Sequence, residues 1–112
     1  DTPTCDAQTR RFNQEAAALG PDVAILTVSM DLPFAQKRWC AAAGITAVQT
    51  LSDYKDHSFG VAYGVRIKEL GLLARSVFVV DRAGKVTYRE IVSEVTHEPD
   101  YAKAIEAARK AL

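Results

Sequence analysis

Apolar positions along this chain fall into short, distinct groups. Val23 to Met30 is an almost unbroken apolar run with β-branched residues, the pattern of a strand buried on both faces as in a parallel sheet. Ser76 to Val80 has the same character and predicts a second buried strand. Val48 to Leu51 predicts a short one. Val86 to Val92 carries enough polar residues for a strand near an edge. It is joined to Ser76–Val80 through the hairpin signal Asp81-Arg82-Ala83-Gly84. Between the strands the period changes. Asp1, Thr2 and Thr4 as caps, with Pro3 near the first turn, predict a helix with Phe12, Ala16 and Leu19 on one face. Gly20-Pro21 stops it. Asp31-Leu32-Pro33 turns into a second helix that runs through Cys40 to Ala43 and ends at Gly44. Tyr54 to Tyr63 predicts a short helix ending at Gly64. Pro99 opens a last helix with Tyr101, Ile105, Ala108 and Leu112 on one face.

Helices alternating with strands, closed by one antiparallel pair, predict an α/β layer arrangement. The 112 residues are read as one domain without linker or repeat. Apolar residues make up 48% and charged residues 25%, an ordinary globular balance. The formal net charge is zero, which gives no reason to expect nucleic acid or an anionic membrane as partner. No apolar run approaches the roughly 20 residues of a membrane-spanning helix.

The chain has two cysteines and two histidines. Cys5, Cys40, His57 and His97 match no common zinc spacing, and two cysteines are too few for a disulfide-dense scaffold. Two readings stay open at this point: a reactive thiol pair, or two buried and inert thiols. Only a thiolate attacks peroxide oxygen readily, so a reactive Cys5 would need its pKa lowered from about 8.5. The first turn of a helix favours that through free N–H groups and the helix dipole. Thr2 could set a hydroxyl beside the sulfur, and Arg75, ahead of a buried strand, is the candidate cation. Each also has an ordinary reading, as a cap, a surface ion pair or an inert thiol.

Longer motifs decide between them. Thr2-Pro3-Thr4-Cys5 matches the T-x-x-C motif of peroxiredoxins. Ser29 to Cys40, with Asp31-Leu32-Pro33-Phe34-Ala35-Gln36 at its centre, resembles the D-L-P-F-A-Q-x-R-x-C segment of the bacterial thiol peroxidases, the atypical two-cysteine peroxiredoxins. Leu73 to Asp81 resembles their strand with the active-site arginine, and Glu98 to Tyr101 the start of their last helix. The resemblance runs along essentially the whole chain. It implies a thioredoxin-like fold, with Cys5 as peroxidatic cysteine, Cys40 as resolving cysteine, and Thr2 and Arg75 in the active site. It further implies reduction of hydrogen peroxide and alkyl or lipid hydroperoxides through a Cys5–Cys40 disulfide. The cycle would use thioredoxin as reductant and no cofactor, metal, haem or flavin, in a homodimer. The expected compartment is the bacterial cytoplasm, with the periplasm as the alternative. A non-enzymatic redox-sensing module on the same fold is the competing reading; it would need neither Thr2 nor Arg75.

The resemblance also sets structural expectations. The two cysteines fall on different helices, and a disulfide needs Cα atoms within about 7 Å, so both helix ends should partly unwind between thiol and disulfide states. The family motif begins upstream of Thr2. A central strand of the family fold, expected between Val23–Met30 and Ser76–Val80, has no counterpart in these residues. They would then be the larger part of a longer protein, with an N-terminal segment as a further partner. The loop from Tyr63 to Leu73 is shorter than the family pattern. Phe34, Leu32 and Leu72 are expected mainly in the core, with the alternative that some line an apolar collar for a hydroperoxide tail or a partner subunit; Trp39 is expected in the core, His57 and His97 at exposed loop or helix ends, and Gly60 and Gly64 as caps.

Overall fold

The computed structural model describes residues 3–20, 22–92 and 97–111 and, at 16–18, the backbone alone. Helix α1 spans Pro3–Leu19, α2 Pro33–Ala43, α3 Ser58–Ala62 and α4 Tyr101–Lys110. Strand β1 is Leu26–Ser29, β2 Gln49–Ser52, β3 Arg66–Ile67, β4 Leu72–Leu73, β5 Ser76–Val80 and β6 Val86–Ile91. The α/β alternation is the expected one. The paired β3 and β4 are an addition, placed in the Tyr63–Leu73 region, where two residues a side leave too short a stretch for any alternation to show.

The strands pair two by two. β1 and β2 are parallel, with Leu26 opposite Gln49 and Ser29 opposite Ser52. β5 and β6 are antiparallel, and a register shift after Val79 sets Val80 opposite Val86. Among the described residues no strand joins the β1–β2 pair to the β5–β6 pair. This corrects the expectation of strands buried on both faces. Leu26 in β1 and Val80 in β5 are exposed, and the rest of both strands is only half-buried. β1 is also shorter than Val23 to Met30. The ladder still begins one step early, since Gln49 N–H donates to the Ile25 carbonyl at 3.0 Å.

The helix ends follow their signals. Pro33 opens α2, where its missing N–H costs nothing, and Gly44 closes it in the left-handed region at φ 70°. The last helix starts at Tyr101 rather than Pro99, because the Asp100 side chain caps it by accepting from Lys103 N–H at 3.1 Å. The β5–β6 turn is held by Asp81, whose carboxylate accepts from the N–H groups of Ala83 and Lys85, both at 2.9 Å. Gln36 fastens α2 to the first sheet, donating to Ser29 Oγ and to the Leu51 carbonyl, each at 2.8 Å.

Leu19, Ile45, Val48, Val65, Ala104 and Ile105 form the buried apolar set. α4 packs on β5, β6 and α1. On the predicted face of α4, Ile105 is buried and Tyr101 and Ala108 are half-buried, while Leu112 lies outside the described residues. The α1 contact is aromatic: the Phe12 and Tyr101 rings meet edge to face at 5.4 Å. Other core expectations fail. Phe34 is 81% exposed, and Leu32 and Leu72 are about half exposed. Leu32 and Phe34 flank Pro33, the first residue of α2.

Candidate active site

Cys5 is the third residue of α1. Its thiol therefore sits in the first turn, where backbone N–H groups lack intrahelical partners. Cys5 is exposed, so a small oxidant can reach the sulfur. Arg75 lies between β4 and β5, and its backbone is fixed on both sides. The Ala74 N–H donates to the Val65 carbonyl at 2.6 Å, and the Arg75 carbonyl accepts from Val92 N–H at 2.9 Å. From this position the guanidinium reaches α1. One terminal nitrogen donates to Cys5 Sγ at 3.3 Å and the other to Gln8 Oε1 at 2.9 Å. Arg75 is 9% exposed. A buried guanidinium is costly unless its donors find partners, so sulfur and amide oxygen are part of what holds it there. A cation at this distance stabilises the thiolate over the thiol.

Cys5 and Arg75, 70 positions apart in sequence, are thus brought together. Thr2 lies outside the described residues. Gln8 escaped sequence reasoning, although it stands three residues after Cys5 and therefore on the same helical face. Tyr101 does more than pack on the apolar face of α4. Burial first, and then its bond to Glu98 Oε1 at 2.6 Å, push its phenol far above the usual range, while the Arg11 and Arg75 charges act in the opposite direction. It stays protonated and serves as an anchor for α1, with the Arg11 guanidinium 5.0 Å from its ring centre.

Cys40 is near the end of α2, half-buried, with its sulfur 3.8 Å from Thr50 Oγ1 on β2. Both cysteines are thiols here rather than a disulfide. Trp39, expected in the core, is half-buried. Its indole N–H donates to Asp6 Oδ2 at 3.0 Å, which links α2 to the first turn of α1. His97 is exposed. His57 precedes α3 in the left-handed region at φ 57°, with a buried Nδ1 that has no hydrogen-bond partner among the described residues. Gly64 ends the α3 segment at φ 70°, but Gly60 is no cap. It lies inside α3, where an added Cβ would come within 2.7 Å of Leu73 Cδ2 and 3.2 Å of Arg66 Cβ. Among the described residues no three His, Cys, Asp or Glu side chains are grouped as metal ligands would be. None of the helices described is long and apolar enough to cross a membrane.

A thiol at a helix start, facing a buried guanidinium beside paired strands, is the arrangement of a thiol-redox domain. The Redoxin family model matches residues 1–105, and the chain belongs to that family. Within it, the relatives matched at high identity are bacterial thiol peroxidases. The thiol peroxidase of Bacillus subtilis is 67% identical over 109 residues, covering 97% of this chain and 65% of the relative. That of Halalkalibacterium halodurans is 65% identical over 112 residues, covering 100% and 67%. The chain thus spans about two thirds of the length of these relatives. The crystal structure of a peroxiredoxin-like protein from Aquifex aeolicus superposes with a TM-score of 0.92 at 40% identity, covering all of this chain and 66% of that one. The fold is therefore the α/β thioredoxin-like fold of peroxiredoxins, as the motifs imply.

Proposed function

We propose that the protein reduces hydroperoxides, with Cys5 as the peroxidatic thiolate and Cys40 as the resolving thiol. The observation that carries this reading is the buried Arg75 guanidinium 3.3 Å from the exposed Cys5 sulfur. A sensor disulfide has no need of a buried cation on one of its thiols. A peroxidase does, because the same charge favours the thiolate and the negative charge that develops on the departing oxygen. The names of the thiol peroxidase relatives support the same class.

In the first step the Cys5 thiolate attacks the terminal oxygen of ROOH. The O–O bond breaks, the alkoxide leaves as alcohol after taking a proton, and Cys5 is oxidised to sulfenic acid. Thr2 is assigned to the same site from its place in the T-x-x-C motif. In the second step the Cys40 thiolate attacks the sulfenic sulfur, an S–S bond forms and water leaves. Thioredoxin then reduces the disulfide by thiol exchange. Hydrogen peroxide and alkyl or lipid hydroperoxides are the substrates. No cofactor is needed, since the two thiols supply both electrons. We assign the cycle to the bacterial cytoplasm and to a homodimer, for which the exposed Leu32 and Phe34 offer apolar surface.

The test is consumption of cumene hydroperoxide by the intact protein with thioredoxin, its reductase and NADPH. Activity should vanish in Cys5→Ser. In Cys40→Ser it should vanish with thioredoxin but persist with a monothiol reductant. Full activity in Cys5→Ser would refute the assignment.

A further inference from the structure

The two thiol-bearing helices touch through the neighbours of the thiols rather than through the thiols themselves. Asp6 follows Cys5 and Trp39 precedes Cys40. Their side chains meet in the 3.0 Å bond from Trp39 Nε1 to Asp6 Oδ2. Arg10, one turn further along α1, binds the other Asp6 oxygen and places its guanidinium 5.8 Å from the Trp39 ring centre. Successive residues of a helix project about 100° apart. The rotation that aims Asp6 at Trp39 therefore aims the sulfurs elsewhere, Cys5 at Arg75 and Cys40 at Thr50. Two turns beyond Asp6 along α1, Asn13 Oδ1 accepts from Ala47 N–H at 2.9 Å, so the helix is tied to the α2 side at two levels. Only the Asp6 level adjoins the thiols. Forming an S–S bond takes at least one sulfur from its present partner, and with the thiols on different helices the proposed cycle opens the helical turn that carries it. If the α2 turn opens, Trp39 travels with Cys40 and must release Asp6. If the α1 turn opens, Asp6 travels with Cys5 and the same bond breaks.

We propose that Asp6 and Trp39, braced by Arg10, form a latch that holds both thiol helices in the peroxide-reactive arrangement and slows resolution by Cys40. The proposal rests on the function assigned to Cys5 and Cys40 above. The latch sets a competition for the Cys5 sulfenic acid. Opening lets Cys40 attack, forming the disulfide and releasing water. While the latch is closed, a second hydroperoxide can oxidise the sulfenic sulfur. Its O–O bond breaks, one oxygen is added to sulfur, and the alcohol leaves, which gives the sulfinic acid. Asp6 and Trp39 are positioning residues here, since neither touches the reacting atoms.

The test compares the intact wild-type protein with Trp39→Phe, which keeps an aromatic ring but removes the N–H, with Asp6→Ala, and with the double variant. Reduced protein is mixed with cumene hydroperoxide and quenched over time, and mass spectrometry resolves sulfenic, disulfide and sulfinic forms of Cys5. In both single variants the disulfide should form faster by about threefold or more, the effect of losing one charge-assisted bond at the surface. The sulfinic fraction at excess peroxide should fall in proportion. Sulfenic acid should form at the wild-type rate. The double variant should be no faster than either single one, and Asp6→Asn, which keeps an acceptor but loses the charge and the Arg10 ion pair, should fall between wild type and Asp6→Ala. If Asp6→Ala does not fold, Trp39→Phe decides alone. Unchanged or slower disulfide formation beside normal sulfenic acid formation overturns the latch. Failure of the wild-type protein to form sulfenic acid or the Cys5–Cys40 disulfide overturns the functional reading, and the latch with it.

Discussion

Replacing Arg75 with Met keeps most of the side-chain volume and removes the charge. Arg75 Nη2 and Cys5 Sγ are 3.3 Å apart. Unit charges at that distance attract by about 1.3 kcal/mol in water and by about 5 kcal/mol at an effective dielectric constant of about 20. Arg75 is buried and Cys5 exposed, so the pair falls between those limits, at about 2–3 kcal/mol. Loss of the cation should raise the Cys5 pKa, because the thiolate loses its neighbouring positive charge. It should also remove the stabilisation of charge on the departing oxygen. Together these should slow Cys5 oxidation near neutral pH by about a hundredfold or more. The assay is performed on the intact protein with Cys40→Ser, so that one thiol reports. Iodoacetamide alkylation as a function of pH gives the thiolate titration, and peroxide oxidation under the same conditions gives the rate. Arg75→Lys, which keeps a charge but loses the fork that also engages Gln8, should fall in between. An Arg75→Met protein that melts like the parent, with the alkylation midpoint and peroxide rate unmoved, would refute the role given to this cation.

Three further outcomes follow from the geometry. Asp53 is buried and accepts from the N–H groups of Phe59 at 2.9 Å and Gly60 at 2.8 Å. Asp53→Ala strands both donors and should cost about 2–3 kcal/mol, lowering Tm by roughly 10 °C; a melt within about 1 °C of wild type would contradict this. Gly60→Ala should cost about 1–3 kcal/mol in the same melt, because Leu73 and Arg66 occupy the space of the new Cβ. The bonds from Arg10 first, and then Trp39, hold the Asp6 carboxyl below its ordinary value of 3.8. Its contribution is therefore complete above that value and is lost only as pH falls through the lower folded pKa. Trp39 emission should stay constant down to about pH 4 and change below it, and an Asp6→Ala variant should lack that acid transition.

Local chemistry made much of the fold readable from residues alone. Pro33 and Gly44 bracket α2 because each fits one end of a helix and neither fits its middle. Asp81 and Gly84 announce the β5–β6 turn, and Asp100 the last cap. The site was harder to read. Nothing periodic links Cys5 to Arg75, since their approach depends on how α1 lies across the β4–β5 junction; from the residues alone Arg75 is only a candidate cation, and the family motifs decide for it. Gln8 and the Asp6–Trp39 bond went unread because motifs record which residues react, not which ones hold them. Exposure was misjudged at Leu32 and Phe34 because apolar character says that a side chain gains from cover, not which element provides it. Gly60 looked like punctuation, whereas its role is the close approach of Leu73, a contact visible only once α3 and β4 are in place.

The two-pronged grip of Arg75 has a mechanical consequence. One prong holds Cys5 and the other holds Gln8, a single turn apart on α1, and the arginine backbone is anchored in the sheet region. In the proposed cycle, as Cys5 turns away to meet Cys40, the second prong should stay engaged. Gln8 becomes the pivot, and Thr9 behind it is buried. The helix should therefore fray only as far as that point. Amide hydrogen exchange in the disulfide form should show a sharp boundary, rapid up to Ala7 and protected from Thr9 onward. Reduction would then need to rewind less than two turns, guided by a glutamine that never left its arginine.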